Sequence, residues 1–177
     1  MYNSIDRKLF NNEAMRSGTL LGLLWIASYA VALGDITNPI YALLFSAMNI
    51  ASPFYAGYLA ISFRKRYCGN SIRYIQAWYF LLIEYLCASL LTAMAMFIYL
   101  HFIDSAALSN FMNKILDTLR DEPQIYSAMS GDIEQMSAIY TNMSTRDIVL
   151  NFATSNLMNG SILAPIIALF VKRNPNK

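Results

Sequence analysis

Where the charges are missing constrains this chain more than any motif does. Asp, Glu, Lys and Arg are absent from Ser17 to Gly34, from Ile36 to Phe63 and from Ile148 to Val171. Between Tyr74 and Ile103 the sole exception is Glu84. Each run can cross a hydrocarbon layer about 30 Å thick, which takes roughly 20 helical residues. Within lipid a segment must satisfy its own backbone polar groups, which a helix does. Composition points the same way: 56% of the 177 residues are hydrophobic and 14% are charged, where soluble domains carry about 25% charge. The expectation is an all-α, polytopic integral membrane protein. It forms a single membrane domain over 1–177, with four transmembrane helices at about 17–34, 40–63, 75–101 and 148–171.

The segment 104–147, between the third and fourth spans, differs in character. Leu108, Phe111, Met112, Ile115, Leu116 and Leu119 recur at helical spacing, and Pro123 follows Asp121 and Glu122. A second series, Met129, Ile133, Met136, Tyr140 and Met143, steps by four and three. This predicts two short amphipathic helices lying on the bundle or on the membrane surface. Ser144 and Asp147 form an S-x-x-D start signal for the last span.

Basic residues set the orientation. Of thirteen Lys and Arg, ten fall on one side of the spans: Arg7, Lys8, Arg16, Arg64, Lys65, Arg66, Arg73, Lys172, Arg173 and Lys177. Lys114, Arg120 and Arg146 are left on the other. By the positive-inside rule both termini are cytoplasmic and the segment 104–147 is extracytoplasmic. Tyr67, Tyr74 and Trp78 then fall near the inner interface, with Tyr99 and Phe102 near the outer one. The first span, with its basic flank and Ala30-Val31-Ala32, also has features of a signal peptide. Cleavage there would leave three spans without reversing any of them.

Within the spans a few residues stand out. An ionised carboxylate near the middle of a span costs at least a few kcal/mol, and no Lys or Arg lies in another span to pair with Glu84. It is therefore protonated, or it faces a wet cavity or a polar cluster. Two roles remain open: a proton-relay or pathway group, or a neutral interhelical hydrogen bonder. The fourth span offers partners in Asn151, Ser155 and Asn159, a polar stripe that continues to Ile162. Such a stripe turns into the bundle or onto another subunit. Gly18 and Gly22 form a G-x-x-x-G suited to close helix packing, within the chain or between chains. Pro53 frees the carbonyl of Asn49, which predicts a kink in the second span.

Catalytic chemistry leaves few traces. His101 and Asp104 share a helix face but are too few for a metal site. Cys68 and Cys87 read as ordinary reduced residues, and the methionines at 129–143 read as packing. There is no G-x-S-x-G, phosphate-binding glycine loop, H-E-x-x-H or paired catalytic carboxylate. The sequence implies no cofactor and no metal. A net charge of +2 is too small to suggest a nucleic-acid partner.

The residues Gly69-Asn70-Ser71-Ile72 leading into Tyr74 and Gln76-Ala77, the ending Tyr99 and Phe102-Ile103-Asp104, and the last span closing on Lys172-Arg173 carry a resemblance. The whole chain resembles a bacterial four-helix membrane family, domain of unknown function 4199. Tyr74 departs from the phenylalanine expected there, and Asp104 lacks the proline expected after it. The resemblance implies a bacterial inner-membrane protein with a helper role in envelope biogenesis, and it carries over no catalytic residue.

Three functions compete. The first is an accessory protein that binds a membrane enzyme or transporter. The second is a small oligomeric transporter or channel gated by Glu84, and the third is a lipid-processing enzyme. The bilayer is a partner in all three, with a second membrane protein in the first and a homo-oligomer in the second. For the orientation, a reporter cysteine placed between Met129 and Met143 is expected to react with an impermeant reagent from outside. Labelling only after the inner membrane is opened would reverse the topology.

Overall fold

The structure, a computed structural model, describes residues 7–35, 37–107, 110, 111, 113, 114, 117 and 143–174. It contains four long helices: α1 (Arg7–Asp35), α2 (Pro39–Tyr67), α3 (Tyr74–Ile98) and α4 (Thr145–Val171). A π-helical turn, Tyr99–Ile103, prolongs α3 and ends with Asp104 N–H donating to the Tyr99 carbonyl at 3.0 Å. All four helices are long and apolar enough to cross a membrane, and the described residues make an all-helical membrane protein. The amphipathic helices expected within 104–147 lie mostly outside the described residues. Of their apolar positions, Phe111 and Met143 pack on the buried cluster of Met96, Leu100, Ile148 and Val149.

Helix boundaries follow local chemistry. At the start of α2, Asn38 Oδ1 accepts from Ile40 N–H at 3.0 Å and Pro39 occupies the first turn, where its missing N–H costs nothing. Arg64, Lys65 and Arg66 fill its last turn, opposite the negative end of the helix dipole. Termination follows at Gly69 (φ 56°) and Asn70 (φ 61°), both left-handed. Glycine adopts that region freely, and asparagine is among the few other residues that do. In α4 the Ser144 hydroxyl accepts from Asp147 N–H at 3.3 Å and lies 2.6 Å from Asp147 Oδ2. The helix runs on through Pro165.

α1 begins ten residues before its uncharged run. Those leading turns are not idle, because Phe10 and Ala14 are buried in the core. Phe10 packs edge-on against Phe63 (5.4 Å) and Phe80 (5.5 Å), while Phe63 and Phe80 stack at 4.5 Å. The aromatic knot ties α1, α2 and α3 together at the basic end. A latch closes the same end. Ile72 and Arg173 exchange backbone hydrogen bonds of 2.9 and 3.0 Å, and buried Arg64 donates through Nη1 to the Val171 carbonyl. Arg64 thereby satisfies an orphan carbonyl at the C-terminus of α4.

Packing is uneven around the bundle. α3 is the central helix, burying the stripe Ala77, Leu81, Glu84, Ala88 and Thr92 between α1 and α4. α2 leans on α1 and meets α3 and α4 only lightly. Leu43, Ile50, Phe54, Phe102 and Phe170 remain exposed on the outer surface, as side chains facing acyl chains would.

The α1–α3 contact answers the question posed by Gly18 and Gly22, whose partner lies within the chain. A Cβ at Gly18 would sit 2.5 Å from the Glu84 carbonyl oxygen and 2.6 Å from Cys87 Cβ, and one at Gly22 3.2 Å from the Ala88 backbone. Gly160 of α4 plays the same part on the other side, where a Cβ would lie 2.5 Å from Tyr85 Cγ. Overpacking costs about 1–3 kcal/mol, of which alanine's helix propensity returns about 1. Gly18→Ala and Gly160→Ala are therefore expected to lower the unfolding temperature in detergent. Gly34→Ala, whose Cβ would meet Tyr41 at an ordinary 3.6 Å, should leave it unchanged or raise it.

Candidate functional site

Side-chain polar groups inside a membrane bundle must find one another. Here they do so near the midpoints of the helices. Trp25 Nε1 donates to Ser52 Oγ at 2.8 Å and Asn49 Nδ2 donates to Ser28 Oγ at 2.9 Å, both across α1 and α2. The Tyr29 hydroxyl donates to Asn156 Oδ1 at 3.1 Å, joining α1 to α4. Ser89 Oγ donates to the Ala153 carbonyl at 2.7 Å, joining α3 to α4. Asn49 Nδ2 also reaches the Phe45 carbonyl of its own helix at 2.8 Å.

Because α2 stands off from α4, these groups border a cavity of about 340 Å³ instead of a filled core. Its wall combines Trp25, Tyr29, Asn49, Ser52, Tyr85 and Asn156, with Pro53, Asn159, Gly160, Ile162 and Leu163 completing it. Tyr85 is the unusual member. Only 1% of it is exposed, and its hydroxyl has no hydrogen-bond partner among the described residues. Its ring is wedged between Trp25, 6.0 Å away, and the bare backbone at Gly160. The wall holds no charged side chain. The exposed amide of Asn159 suits a neutral polar guest or water rather than an ion.

The residues singled out from the sequence fall in different places. Glu84 is fully buried, with both carboxyl oxygens lacking a partner among the described residues. Its backbone carbonyl lies under Gly18, and it forms no part of the cavity wall. Asn151 and Ser155 lie on the exposed face of α4, with Ser155 Oγ 3.4 Å from Asn151 Oδ1. Asn159 is exposed on that same face and also edges the cavity, as does Pro53 of α2. The structure thus does not assemble Glu84 and the stripe into one site. Glu84 belongs to the side of α3 packed on α1, whereas the stripe turns outward from α4.

Sequence reasoning missed Trp25, Tyr29, Asn49, Ser52, Tyr85 and Gly160. A signal existed for two of them. Tryptophan and tyrosine are enriched at membrane interfaces, so Trp25 and Tyr85 well inside their spans called for buried polar partners. Towards the far end, His101 stacks on Phe97 (5.3 Å) and Asp104 Oδ1 accepts from Ala106 N–H (3.0 Å). Each of the two thus has a local role.

Hydrogen-bond asymmetry separates the cavity's members. Tyr29→Phe leaves the Asn156 carbonyl oxygen without its donor and should cost about 0.6 kcal/mol, and no more than about 1.7. Tyr85→Phe removes a hydroxyl that has no partner and is expected to be neutral or stabilising in detergent. Thermal unfolding followed by tryptophan emission checks both.

A family described as Protein of unknown function (DUF4199) matches residues 16–173, nearly the whole chain. No curated protein and no solved structure matches it.

Proposed function

We propose that this chain, which belongs to the DUF4199 family, is an accessory subunit of the bacterial inner membrane that docks against a transmembrane helix of another protein. Asn151, Ser155 and Asn159 on the exposed face of α4 carry this reading. An amide left without a partner in hydrocarbon costs about 2–7 kcal/mol. A helix that presents two amides and a hydroxyl at successive turns is therefore built to meet another polar surface. Met158 and Ile162 beside them, 59% and 62% exposed, supply apolar contact area. The positive-inside rule supports cytoplasmic termini, which orients the stripe towards the outer half of the membrane. Its partner would then be a membrane enzyme or transporter of envelope assembly.

A second reading rests on Glu84, a fully buried carboxyl without a partner among the described residues. In an oligomer it would act as the protonatable gate of a small transporter. Its separation from the polar cavity favours the accessory role.

Gentle extraction of the tagged chain from its native membrane, followed by native mass spectrometry, distinguishes the two. The accessory reading predicts a stoichiometric second protein, lost in Asn151→Leu/Ser155→Ala/Asn159→Leu while the helical content stays. A homo-oligomer alone, with proton-coupled flux in liposomes abolished by Glu84→Gln, would replace it with the transporter reading.

A further inference from the structure

At the basic end of the bundle a separate cleft of about 250 Å³ opens between α1 and α2. Its character changes along the helix axes. Glu13 and Arg16 from α1 and Arg66 and Tyr67 from α2 stand at the basic end. Leu20, Leu59 and Tyr55 line the part running into the bundle. From Arg66 down to Tyr55 the wall descends about three helical turns. The cleft is therefore amphiphilic along the direction that a membrane normal would take.

Its charges are unequally committed. The Glu13 carboxylate accepts from the Tyr67 hydroxyl at 3.4 Å and lies 3.8 Å from Arg16 Nη1. The Arg16 side chain is nonetheless 69% exposed. Arg66 is exposed and forms no ion pair among the described residues. Two guanidinium groups against one carboxylate leave a net charge of one positive unit at the mouth.

We propose that this cleft binds an acidic phospholipid, with Arg16 and Arg66 holding its phosphodiester and one acyl chain lying along Leu20 and Leu59. The proposal does not depend on the accessory role. A phosphodiester carries one negative charge, which matches the charge at the mouth. Guanidinium groups recognise phosphate through paired N–H donors. Basic pockets between transmembrane helices are known settings for acidic headgroups. A free anion would satisfy the arginines and leave the apolar wall uncovered, whereas a lipid satisfies both.

The test is native mass spectrometry of the full chain in detergent, titrated with phosphatidylglycerol or with phosphatidylcholine of the same acyl chains. Phosphatidylglycerol is expected to be retained in preference. Arg16→Gln and Arg66→Gln are each expected to weaken it about fivefold, the factor that corresponds to one basic side chain near an anionic lipid. Arg66→Lys, which keeps the charge, should recover part of that loss. Lys65→Gln removes the same charge from a residue outside the cleft wall and should leave binding unchanged. Three results would overturn the proposal: equal retention of the two lipids, equal losses in Lys65→Gln and Arg66→Gln, or displacement of phosphatidylglycerol by inorganic phosphate.

Discussion

At Gly18 the first helix approaches the third so closely that a methyl group would lie 2.5 Å from the Glu84 carbonyl oxygen, and Gly22 repeats the approach one turn on over Ala88. Apolar side chains gain no hydrophobic free energy by leaving lipid for another helix, so van der Waals contact between backbones must hold such a bundle together. Most of the interior depends on this crossing. It encloses Glu84, and it sets Trp25 against Tyr85. It also brings Ser28 and Tyr29 into reach of Asn49 and Asn156. Gly160 repeats the device on the opposite side of α3, where the Tyr85 ring takes the place of a backbone. The central helix is thus clamped between two glycine surfaces.

With α1, α3 and α4 clamped, the fourth packing surface is looser. α2 is joined to α1 by the Trp25–Ser52 and Asn49–Ser28 hydrogen bonds and by the aromatic knot at Phe63. Interhelical hydrogen bonds in membranes average only about 0.6 kcal/mol, so they fix register more than they supply stability. Two of the openings among the described residues lie beside α2. The polar cavity lies where α2 fails to close on α4, and the basic cleft lies between α1 and α2 beside Phe63.

The residues on which the family resemblance rests also acquire a physical role. Gly69 and Asn70 take left-handed conformations that end α2, and Ile72 then pairs with Arg173 beyond the end of α4. Arg64 reaches across to the Val171 carbonyl from a position that is only 7% exposed. Glycine and asparagine tolerate a turn that β-branched residues would not. A cation at a helix C-terminus offsets both the dipole and the orphan carbonyls. These residues hold two helix ends together.

How much was legible in the sequence differs from residue to residue. The three uncharged runs and the fourth, broken only by Glu84, determined the helices, because the cost of burying charge and unpaired backbone in hydrocarbon depends on composition and length alone. Ser144 with Asp147 likewise announces its helix start through an interaction spanning only three residues. Glu84 was legible as an anomaly, but its surroundings were not. The rotation of each helix about its own axis decides which neighbours a side chain meets, and that rotation follows from interlocking surfaces on different helices. Only the tertiary structure therefore decided that Gly18 and Gly22 face α3. The same rotations separate Glu84 from the Asn151–Ser155–Asn159 stripe and gather Trp25, Asn49, Ser52, Tyr85 and Asn156 around one cavity. In a bilayer the hydrophobic pattern says that a helix crosses, but with lipid on one side and apolar neighbours on the other it carries little information about which face turns inward.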